Sequence, residues 1–551
     1  MADKNKPPDD KISAVMAVGL GDTMITHDNA SGGLSRRLGS AAVSAVLALA
    51  LSLSFSAQTS AAEAGASLYR TDDPLPNWMI SANIALASEW VGRGISMTSE
   101  GPAVQVNLEI TNGWFYAGVF GSNLEYGAAD TNNDGVADSD GGNFESDWYA
   151  GARGTFSGID IDIGYLLYTY NNAVDFGGDV DLWEIRGIVS TQTKSGFKPS
   201  FTAFYTPEYS FRTGRNIILE AKAEQTLPRV GPFTPTASAV LGYNDNETGR
   251  VRPDFWFWSA GLTLGFAERY AFDLHYWNAD ASDCGKRTVF QCDERVIARM
   301  TAFIGEPSPT ELAAPELFSI DGLALSSNLL LTSDYVDRGL SQTDANPAVQ
   351  GGFELAYRWL YAGLWASNLD FGGADPNGDG IADSAVAPIE IDWYGGARTN
   401  AGETEIDLGV VYTSYPDAFR GMPAVDLDFW ELVASASRPL VAGIEAGVSV
   451  TYAWDYRGEV GENWLFAVTL ERALPRTGPF SPTIGGSVAF NDGESNQGAS
   501  DYWFWNSGIE LAFRERFAVD LRYWDTDLGG CDSAKLFQCD ERVVATLSAE
   551  F

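Results

Sequence analysis

The sequence predicts an all-β protein, a transmembrane antiparallel up-and-down β-barrel present as two tandem units of about 12 strands each. Three observations predict this fold. The chain repeats itself once, the segments within each repeat alternate apolar and polar residues, and the connections between segments alternate between short and long. A period of two is the pattern of a strand, whereas an amphipathic helix repeats every 3.6 residues.

The composition favours strands and argues against nucleic-acid partners. The chain has 551 residues with 58 glycines and 17 tryptophans, and its 74 acidic against 35 basic residues give a net charge of −39. Glycine and aromatic residues suit turns and strands. A chain this acidic repels a phosphate backbone, so we expect no nucleic-acid partner.

Residues 1–62 are predicted to form a leader with a secretory signal peptide. Arg36 and Arg37 precede an apolar stretch over 38–57, and small residues follow up to Ala62. A basic start, an apolar centre and a small-residue cleavage site are typical of such signals. We therefore expect export through the inner membrane.

The internal duplication gives the domain boundaries. The segment SEWVGRGISMTSEGPAVQVNLEI from Ser88 matches SDYVDRGLSQTDANPAVQGGFEL from Ser333 at 11 of 23 positions. Such self-similarity indicates two copies of one structural unit. We expect the first barrel repeat at 77–304, the second at 324–551, and a polar, proline-containing linker at 305–323.

Each copy divides into about twelve segments of roughly ten residues, which is enough for a tilted strand to cross a bilayer. In the last segment Val543, Ala545 and Leu547 share one face. Thr546 and Ser548 share the other. Because such strands close without free edges, the apolar face is expected to meet lipid and the polar face to line a lumen. In the second copy the strands are predicted near 326–338, 346–357, 359–371, 388–400, 404–415, 427–437, 443–455, 463–473, 482–491, 500–513, 516–526 and 540–551.

The connections alternate in length. Segments two and three join through 111–113 and segments four and five through 157–158, whereas the next connections on the other side fall near 128–143 and 171–180. Short periplasmic turns and long outer loops are typical of barrels in the outer membrane of Gram-negative bacteria. Both copies end on phenylalanine, which resembles the terminal signal used by the barrel assembly machinery. Outer-membrane lipid and that machinery are therefore expected partners.

A single 24-stranded barrel is the alternative architecture. It requires 304–324 to act as one periplasmic turn, although the other turns expected on that side are much shorter. Each copy also has its own closing strand, so two barrels are favoured. A twelve-stranded barrel is intermediate in width between eight-stranded barrels, whose interior is filled by side chains, and 16- to 18-stranded barrels, which enclose an open channel. A narrow, partly occluded pore is expected.

Four blocks of the second copy resemble a known family. They are SDYVDRGLSQ from Ser333, PAVQ from Pro347, YAGLWASN from Tyr361 and EIDWYGG from Glu390. The blocks are similar to the TorF-type porins of proteobacteria, and the resemblance covers nearly all of both copies. It implies an outer-membrane location and a porin role, and it supplies no catalytic residues. The chain departs from single-unit members by carrying two units.

One loop in each copy places oxygen side chains at alternate positions before a glycine, which is how a short loop wraps a hard cation. We expect weak binding of Ca²⁺ there, with no other cofactor. The alternative is an ordinary solvated loop, which the same residue types also form. The expected ligands are Asp130, Asn132, Asp134 and Asp138 in the first copy and Asp375, Asn377, Asp379 and Asp383 in the second.

Strand parity predicts a set of charged side chains that face the lumens. Opposed charges across a pore create a transverse field that selects solutes by charge. The alternative is structural, with inward ion pairs that brace the wall or fill the lumen. The predicted pore-lining residues are Glu89, Arg93, Glu145, Asp147, Arg153, Glu184 and Arg186 in the first copy and Asp334, Arg338, Glu390, Asp392, Arg398 and Glu431 in the second.

The four cysteines form two pairs with the same spacing, Cys284 with Cys292 and Cys531 with Cys539. In an exported protein this spacing predicts two local disulfides. Incidental buried thiols are the alternative.

These observations favour a passive porin over an enzyme. The two histidines are His27, in the leader region, and His275, so the copies share no histidine that could act as a general base. We expect passive diffusion of small solutes or ions through a narrow polar lumen, with a weak preference for cations. The alternative function is a non-conducting structural or adhesion barrel with calcium-ordered outer loops.

Overall fold

In the residues that the computed structural model describes, the regular structure is β-strand apart from a 3-10 turn at Val441–Gly443. No helix in the described part of the chain is long and apolar enough to cross a bilayer. The described residues are 78–125, 142–171, 181–209, 214–247, 254–267, 269–281, 291–304, 322–371, 373–374, 384–385, 387–416, 418, 426–458, 460–493, 501–513, 516–528 and 539–550.

Twelve antiparallel strands close the first barrel, in which each strand pairs with its neighbour along the chain and the first pairs with the last. The closing ladder runs from Ala82 opposite Ile304 to Ala87 opposite Arg299. The strands are β1 (Met79–Ala87), β4 (Ala103–Asn112), β5 (Phe115–Asn123), β6 (Phe144–Phe156), β7 (Ile159–Asn171), β8 (Leu182–Thr191), β9 (Phe197–Thr206), β10 (Asn216–Thr226), β11 (Phe233–Asn246), β12 (Phe255–Phe266), β13 (Tyr270–Ala279) and β14 (Arg295–Ile304), with β2 (Val91–Gly92) and β3 (Ile95–Ser96) forming a separate hairpin.

The second barrel repeats this arrangement and closes on itself. Two closed 12-stranded barrels confirm the predicted fold class, and the single 24-stranded barrel is excluded. The strands are β15 (Leu323–Thr332), β18 (Ala348–Tyr357), β19 (Leu360–Asn368), β22 (Ile389–Ala401), β23 (Thr404–Ser414), β24 (Phe429–Pro439), β25 (Ile444–Ala453), β26 (Asn463–Ala473), β27 (Phe480–Gly493), β28 (Tyr502–Phe513), β29 (Phe517–Thr526) and β30 (Arg542–Glu550), with hairpins of β16 (Val336–Asp337) and β17 (Leu340–Ser341) and of β20 (Gly373–Ala374) and β21 (Ser384–Ala385).

The strands place apolar side chains outward and polar side chains inward. Ile163 on β7 is 60% exposed, whereas its neighbour Asp162 points inward and contacts other side chains of the lumen. On β23 Leu408 is 56% exposed beside the inward Asp407. An exposed apolar outer face around a polar interior is the pattern of a barrel whose solvent is lipid.

The short turns lie at one end of each barrel. β4 and β5 join through two residues, as do β6 and β7, and the latter turn has positive φ at both Ser157 (54°) and Gly158 (81°). Positive φ at both central residues is the two-residue turn whose twist matches an antiparallel hairpin. At the opposite end, the connections from β1 to β4 and from β5 to β6 are much longer.

The first long connection of each barrel folds into the lumen. The β2–β3 hairpin turns at Arg93 and Gly94, with φ of 56° and 82°, and Ile95 packs among residues of β10 and β12. A Cβ atom on Gly94 would lie 2.8 Å from the Cβ of Ala279, so only glycine allows this close approach. The hairpin therefore occupies the long-loop end of the lumen.

The predicted first strand of the second copy, 326–338, is wrong at its C-terminal end. The strand ends at Thr332, and β16 and β17 form the inward hairpin instead. Arg338 and Gly339 have φ of 50° and 79°, a left-handed pair that reverses the chain. The alternation of apolar and polar residues already breaks in this stretch, where Tyr335 and Val336 are adjacent, and the prediction extended the strand past that break.

The two barrels contact each other side by side through their apolar outer faces. β1, β4 and β5 of the first barrel pack against β15, β18 and β19 of the second. Ile84 and Val349 lie in the shared apolar cluster and are each fully buried. The Tyr270 hydroxyl also donates a hydrogen bond of 3.1 Å to the Leu325 carbonyl across the boundary. We call this contact the seam.

The seam has approximate two-fold symmetry. Ile84 packs where Gly351 leaves room, and a Cβ atom on Gly351 would lie 2.2 Å from the Ile84 Cδ1 atom. The counterparts of these residues in the other repeat, Leu329 and Val106, belong to the same buried cluster. Exchanging the two repeats leaves the set of strand contacts unchanged. The contact of β1 with β18 corresponds to that of β15 with β4, and the contact of β5 with β18 corresponds to that of β19 with β4. Such a self-complementary contact is that of a C2 dimer.

Candidate functional site: the charged lumens

In the first barrel, the partly buried arginine at the tip of the inward hairpin is paired with a glutamate of the opposite wall. Arg93 donates to both carboxylate oxygens of Glu184, at 3.2 Å from Nη1 and 2.6 Å from Nη2. Glu184 is 1% exposed and also accepts a hydrogen bond of 2.9 Å from the Tyr168 hydroxyl. The guanidinium lies 4.8 Å from the centroid of the Phe204 ring. This bidentate pair ties the hairpin to β8 and β9.

The second barrel repeats the pairing. Arg338 pairs with Glu431, and its Nη1 donates to the amide oxygens of Asn463 at 2.6 Å and Asn491 at 3.3 Å. Its guanidinium lies 4.6 Å from the centroid of the Tyr456 ring. The repeat places Arg338 and Glu431 where the first barrel has Arg93 and Glu184. We call each arginine–glutamate pair a hairpin lock.

Both hairpin arginines remain charged at any physiological pH. Burial lowers the pKa of the Arg93 guanidinium, but the charge and hydrogen bond of Glu184, together with Tyr168 and Tyr209, outweigh this effect and hold the pKa well above its ordinary value. The pKa of Arg338 is likewise raised, against the effect of burial, by Tyr456 and Glu431. The arginine of each lock therefore keeps its charge and does not act as a switch that responds to pH.

A second ion pair joins the first and last strands at the long-loop end of each barrel. Glu89 pairs with Arg295, and Asp334 pairs with Arg542 at 2.6 Å. All four side chains are buried or nearly so. The sequence predictions included the acids but missed both arginines. The shared segment FQCDERV, which ends just after each arginine, carried the signal that could have identified them.

A third cluster lies deeper in each lumen, towards the short turns. In the first barrel the Tyr116 hydroxyl donates to Asp162 at 2.5 Å, and Arg186 reaches both Tyr116 at 3.1 Å and Asp162 at 3.5 Å. Arg153 pairs with Glu109 and stacks over the Tyr116 ring at 4.7 Å. Opposite charges thus face one another across the polar interior.

The second barrel has a corresponding deep cluster, but with one arginine fewer. Tyr361 donates to Asp407 at 2.6 Å, and Arg398 pairs with Asp407 at 3.0 Å and Glu354 at 3.6 Å. The Tyr361 ring lies over Gly396, where a Cβ atom would be 2.5 Å from the hydroxyl. The position of Arg186 is a valine in the second copy, so its deep cluster has one cation fewer.

Two further predicted residues of each copy lie on the inward face of the strand after the second long loop. Glu145 and Glu390 are 2% and 3% exposed. Asp147 and Asp392 follow two residues later, and the Oδ1 atom of each is buried without a hydrogen-bond partner. The predicted pore-lining residues therefore lie together inside their barrels, mostly as ion pairs rather than as free charges.

The predicted calcium loops lie outside the described residues, so calcium binding stays a prediction. No group of three or more histidine, cysteine or acidic residues in the described ranges is arranged to hold a metal ion. Cys292 and Cys539 are buried, and no free cysteine occurs in the described part of the chain. Their expected partners, Cys284 and Cys531, lie outside it, and the two disulfides stay predictions.

The fold and the lumens define a tandem β-barrel protein with a charged interior. The chain belongs to the family described as "Bacterial protein of unknown function (Gcw_chp)", which matches residues 72–304 and 319–551. This family carries no assigned function, so the porin role implied by the TorF-type resemblance stays a proposal. No curated protein matches the chain.

Several solved structures are similar to the chain over most of its length. The siderophore receptor PirA from Pseudomonas aeruginosa shares 9% identity, with a TM-score of 0.28 over 86% of this chain and 80% of that one. The FrpB iron transporter from Neisseria meningitidis shares 9% identity, with a TM-score of 0.29 over 86% and 81%. The copper transporter OprC shares 11%, with a TM-score of 0.28 over 86% and 80%. These scores are too low to support an inference about function.

Proposed function

We propose that the chain is a bacterial outer-membrane protein whose two barrels allow passive diffusion of small solutes or ions through narrow polar lumens. One observation carries the proposal: each barrel encloses a set of ionised side chains behind an exposed apolar outer face, and both repeats keep this arrangement. Ionised groups are costly to enclose without a role or a partner. The resemblance to TorF-type porins supports the same role.

The proposed channel prefers cations. Acidic residues outnumber basic ones in the chain, at 74 against 35, and the first lumen encloses Glu145, Asp147 and Glu184 near Arg93. An acidic excess along a narrow path attracts cations and repels anions. Outer-membrane lipid and the barrel assembly machinery are the proposed partners, and we propose no enzymatic activity.

A non-conducting structural barrel is the second candidate, and the inward hairpins favour it. In both barrels an arginine with two or more side-chain hydrogen bonds ties the hairpin across the lumen. A hairpin held in this way narrows the path for solutes. The two candidates differ in whether ions still pass beside it.

Planar-bilayer recording of the refolded chain tests the proposal. We expect small step currents, with a reversal potential in a potassium chloride gradient that shows cation preference. Replacing 91–96 and 336–341 with short glycine–serine linkers should raise the conductance several-fold, because it removes the hairpin that occupies part of each lumen. An absence of step currents from both proteins at all voltages would reject the channel.

Calcium binding by the outer loops is proposed separately. Isothermal titration with calcium chloride should show weak binding, in the range of about 10⁻⁴–10⁻³ M that extracellular calcium modules have. Asp134→Ala and Asp379→Ala together should abolish the heat of binding, because each removes a central predicted ligand. If the double variant binds calcium as well as the parent, the loop assignment is wrong.

A further inference from the structure

An apolar trough lies on the outer face of the second barrel, close to the short turns. Four residues that pair across neighbouring strands span it, with the small Ala362 and Gly395 as its floor between Leu355 and Val410. Its volume is about 660 Å³. Strands β18 and β19 carry one side of the trough and also contact the first barrel, so the trough adjoins the seam.

The backbone does not require a glycine at the centre of the trough. Gly395 lies in a strand without a positive φ, and a Cβ atom there would meet no other atom closer than 3.4 Å. A glycine inside a strand weakens it and often marks a place where a ligand approaches closely. The first barrel has Ala150 at this position and Tyr165 at the position of Val410. The corresponding surface of the first barrel therefore carries larger side chains.

A cation lies at the short-turn end of the trough. Arg358 is in the two-residue turn between β18 and β19, and its Cζ atom lies 5.1 Å from the ring centroid of Tyr357, which lines the trough. The arginine is exposed, and no acidic side chain of the described ranges forms an ion pair with it. Its guanidinium group is therefore available to an anion that lies over the end of the trough.

The backbone conformation of Arg358 is costly for a residue with a side chain. Its φ is 58°, in the left-handed region that glycine adopts readily and other residues adopt at a cost. The aligned residue of the first barrel is Gly113, which forms the same turn with a φ of 61°. Strained residues of this kind concentrate at functional sites. The strain indicates that the arginine side chain has a role that glycine could not fill.

We propose that the trough binds an acyl chain of a glycerophospholipid with an anionic headgroup, whose phosphate is bound by Arg358. A guanidinium group can form two parallel hydrogen bonds with phosphate oxygens. The short turns of outer-membrane barrels face the periplasm, so the lipid belongs to the periplasmic leaflet. The neighbouring Trp359 is 57% exposed, as expected of an indole at the level of the headgroups. The inference goes beyond the proposed function, because it concerns the outer face and holds whether or not a lumen conducts.

Native mass spectrometry of the refolded full-length chain in a non-ionic detergent, titrated with dioleoylphosphatidylglycerol, tests the trough. The parent is expected to retain one lipid molecule more tightly than any that follow. Gly395→Leu should weaken the binding of that first lipid by about 10-fold, because the leucine side chain fills the trough. Ala150→Leu introduces the same side chain at the corresponding exposed position of the first barrel and should leave the affinity unchanged.

Arg358→Gly tests the headgroup contact, and it should fold because glycine suits the φ of this turn. It should weaken the binding of the first lipid by about 10-fold, the value of a hydrogen bond to a charged group. Arg476→Gly removes an exposed arginine from the turn between β26 and β27 and should have no effect.

Heat-modifiable electrophoretic mobility checks that each variant folds, and if Gly395→Leu does not fold, the Arg358→Gly comparison decides. Absence of a tightly bound lipid on the parent, or parental affinity in either folded variant, would overturn the inference. A parent dimer that Gly395→Leu dissociates would also overturn it, because the trough would then hold a second copy of the chain. Lipid binding is measured without current, so the result is separate from that of the channel recording.

Discussion

Arg338→Ala is expected to destabilise the second barrel by roughly 3–5 kcal/mol, the usual cost of leaving one partner of a buried ion pair without the other. Both side chains of the pair are almost fully enclosed, at 7% and 12% exposure. The variant leaves Glu431 charged and desolvated, and Asn463 and Asn491 lose their donor. The free energy of unfolding, measured by urea titration in lipid vesicles, should fall by this amount.

A matched control distinguishes the loss of a buried ion pair from the loss of an arginine at an exposed position. Arg438 belongs to the same barrel and pairs with Glu403 at 3.5 Å, but these side chains are 53% and 76% exposed. Arg438→Ala should change the free energy of unfolding by about 0–1 kcal/mol, because exposed ion pairs are screened by water. Equal effects of Arg338→Ala and Arg438→Ala would contradict the assignment of Arg338 to an enclosed lock.

A double variant tests whether the arginine and the glutamate of a lock stabilise the barrel as a pair. Arg338→Ala combined with Glu431→Ala removes both charges and should recover part of the stability that Arg338→Ala loses, because no unpaired charge stays buried. Arg93→Ala with Glu184→Ala should behave in the same way in the first barrel. If either double variant loses the sum of its single effects, that arginine and glutamate act independently rather than as a pair.

The period-two pattern was sufficient to predict the barrels and which residues point inward. The side chains of a strand alternate strictly, so parity assigned Glu145, Glu184 and Arg186 to inner faces without any knowledge of their partners. The partners themselves were not accessible from the sequence. Arg93 and Glu184 are 91 residues apart, and they meet only because the barrel closes and the hairpin folds inward.

The seam could not be predicted, for a related reason. Ile84 in the seam and Ile163 on the exposed face are both outward-facing isoleucines, and a residue that meets lipid looks like one that meets a second barrel. Ile84 differs from Ile163 in facing a small residue of the other barrel, Gly351. The sequence does not show which two outer surfaces meet. Duplication did carry a usable signal, because residues kept in both repeats, such as Arg295 and Arg542, recur in the ion pairs of both lumens.

The seam is expected to hold the two barrels together without the linker. Apolar surfaces gain little from meeting each other in lipid, so close packing of small residues against larger ones must supply the attraction. Val349 packs against Gly121, where a Cβ atom would lie 2.6 Å from the Val349 Cγ1 atom. After cleavage at a protease site engineered within 305–321, the two halves of the parent should still elute together from a size-exclusion column in mild detergent.

Gly121→Leu is expected to separate the cleaved halves, because the added side chain occupies the space that Val349 fills. Ala366 is the counterpart of Gly121 and is fully buried in the same cluster, so Ala366→Leu should have the same effect from the other side. Ala117→Leu enlarges an exposed residue of β5 that faces outward, and its halves should stay together. Separation of the parent halves would show that the linker alone keeps the barrels paired. Co-elution of the halves in both seam variants would show that the packing at Gly121 and Ala366 does not hold the seam. If the seam holds after cleavage, the chain is the covalently linked equivalent of a two-fold symmetric dimer. The interiors of its two barrels differ, whereas the surface that joins them keeps its symmetry.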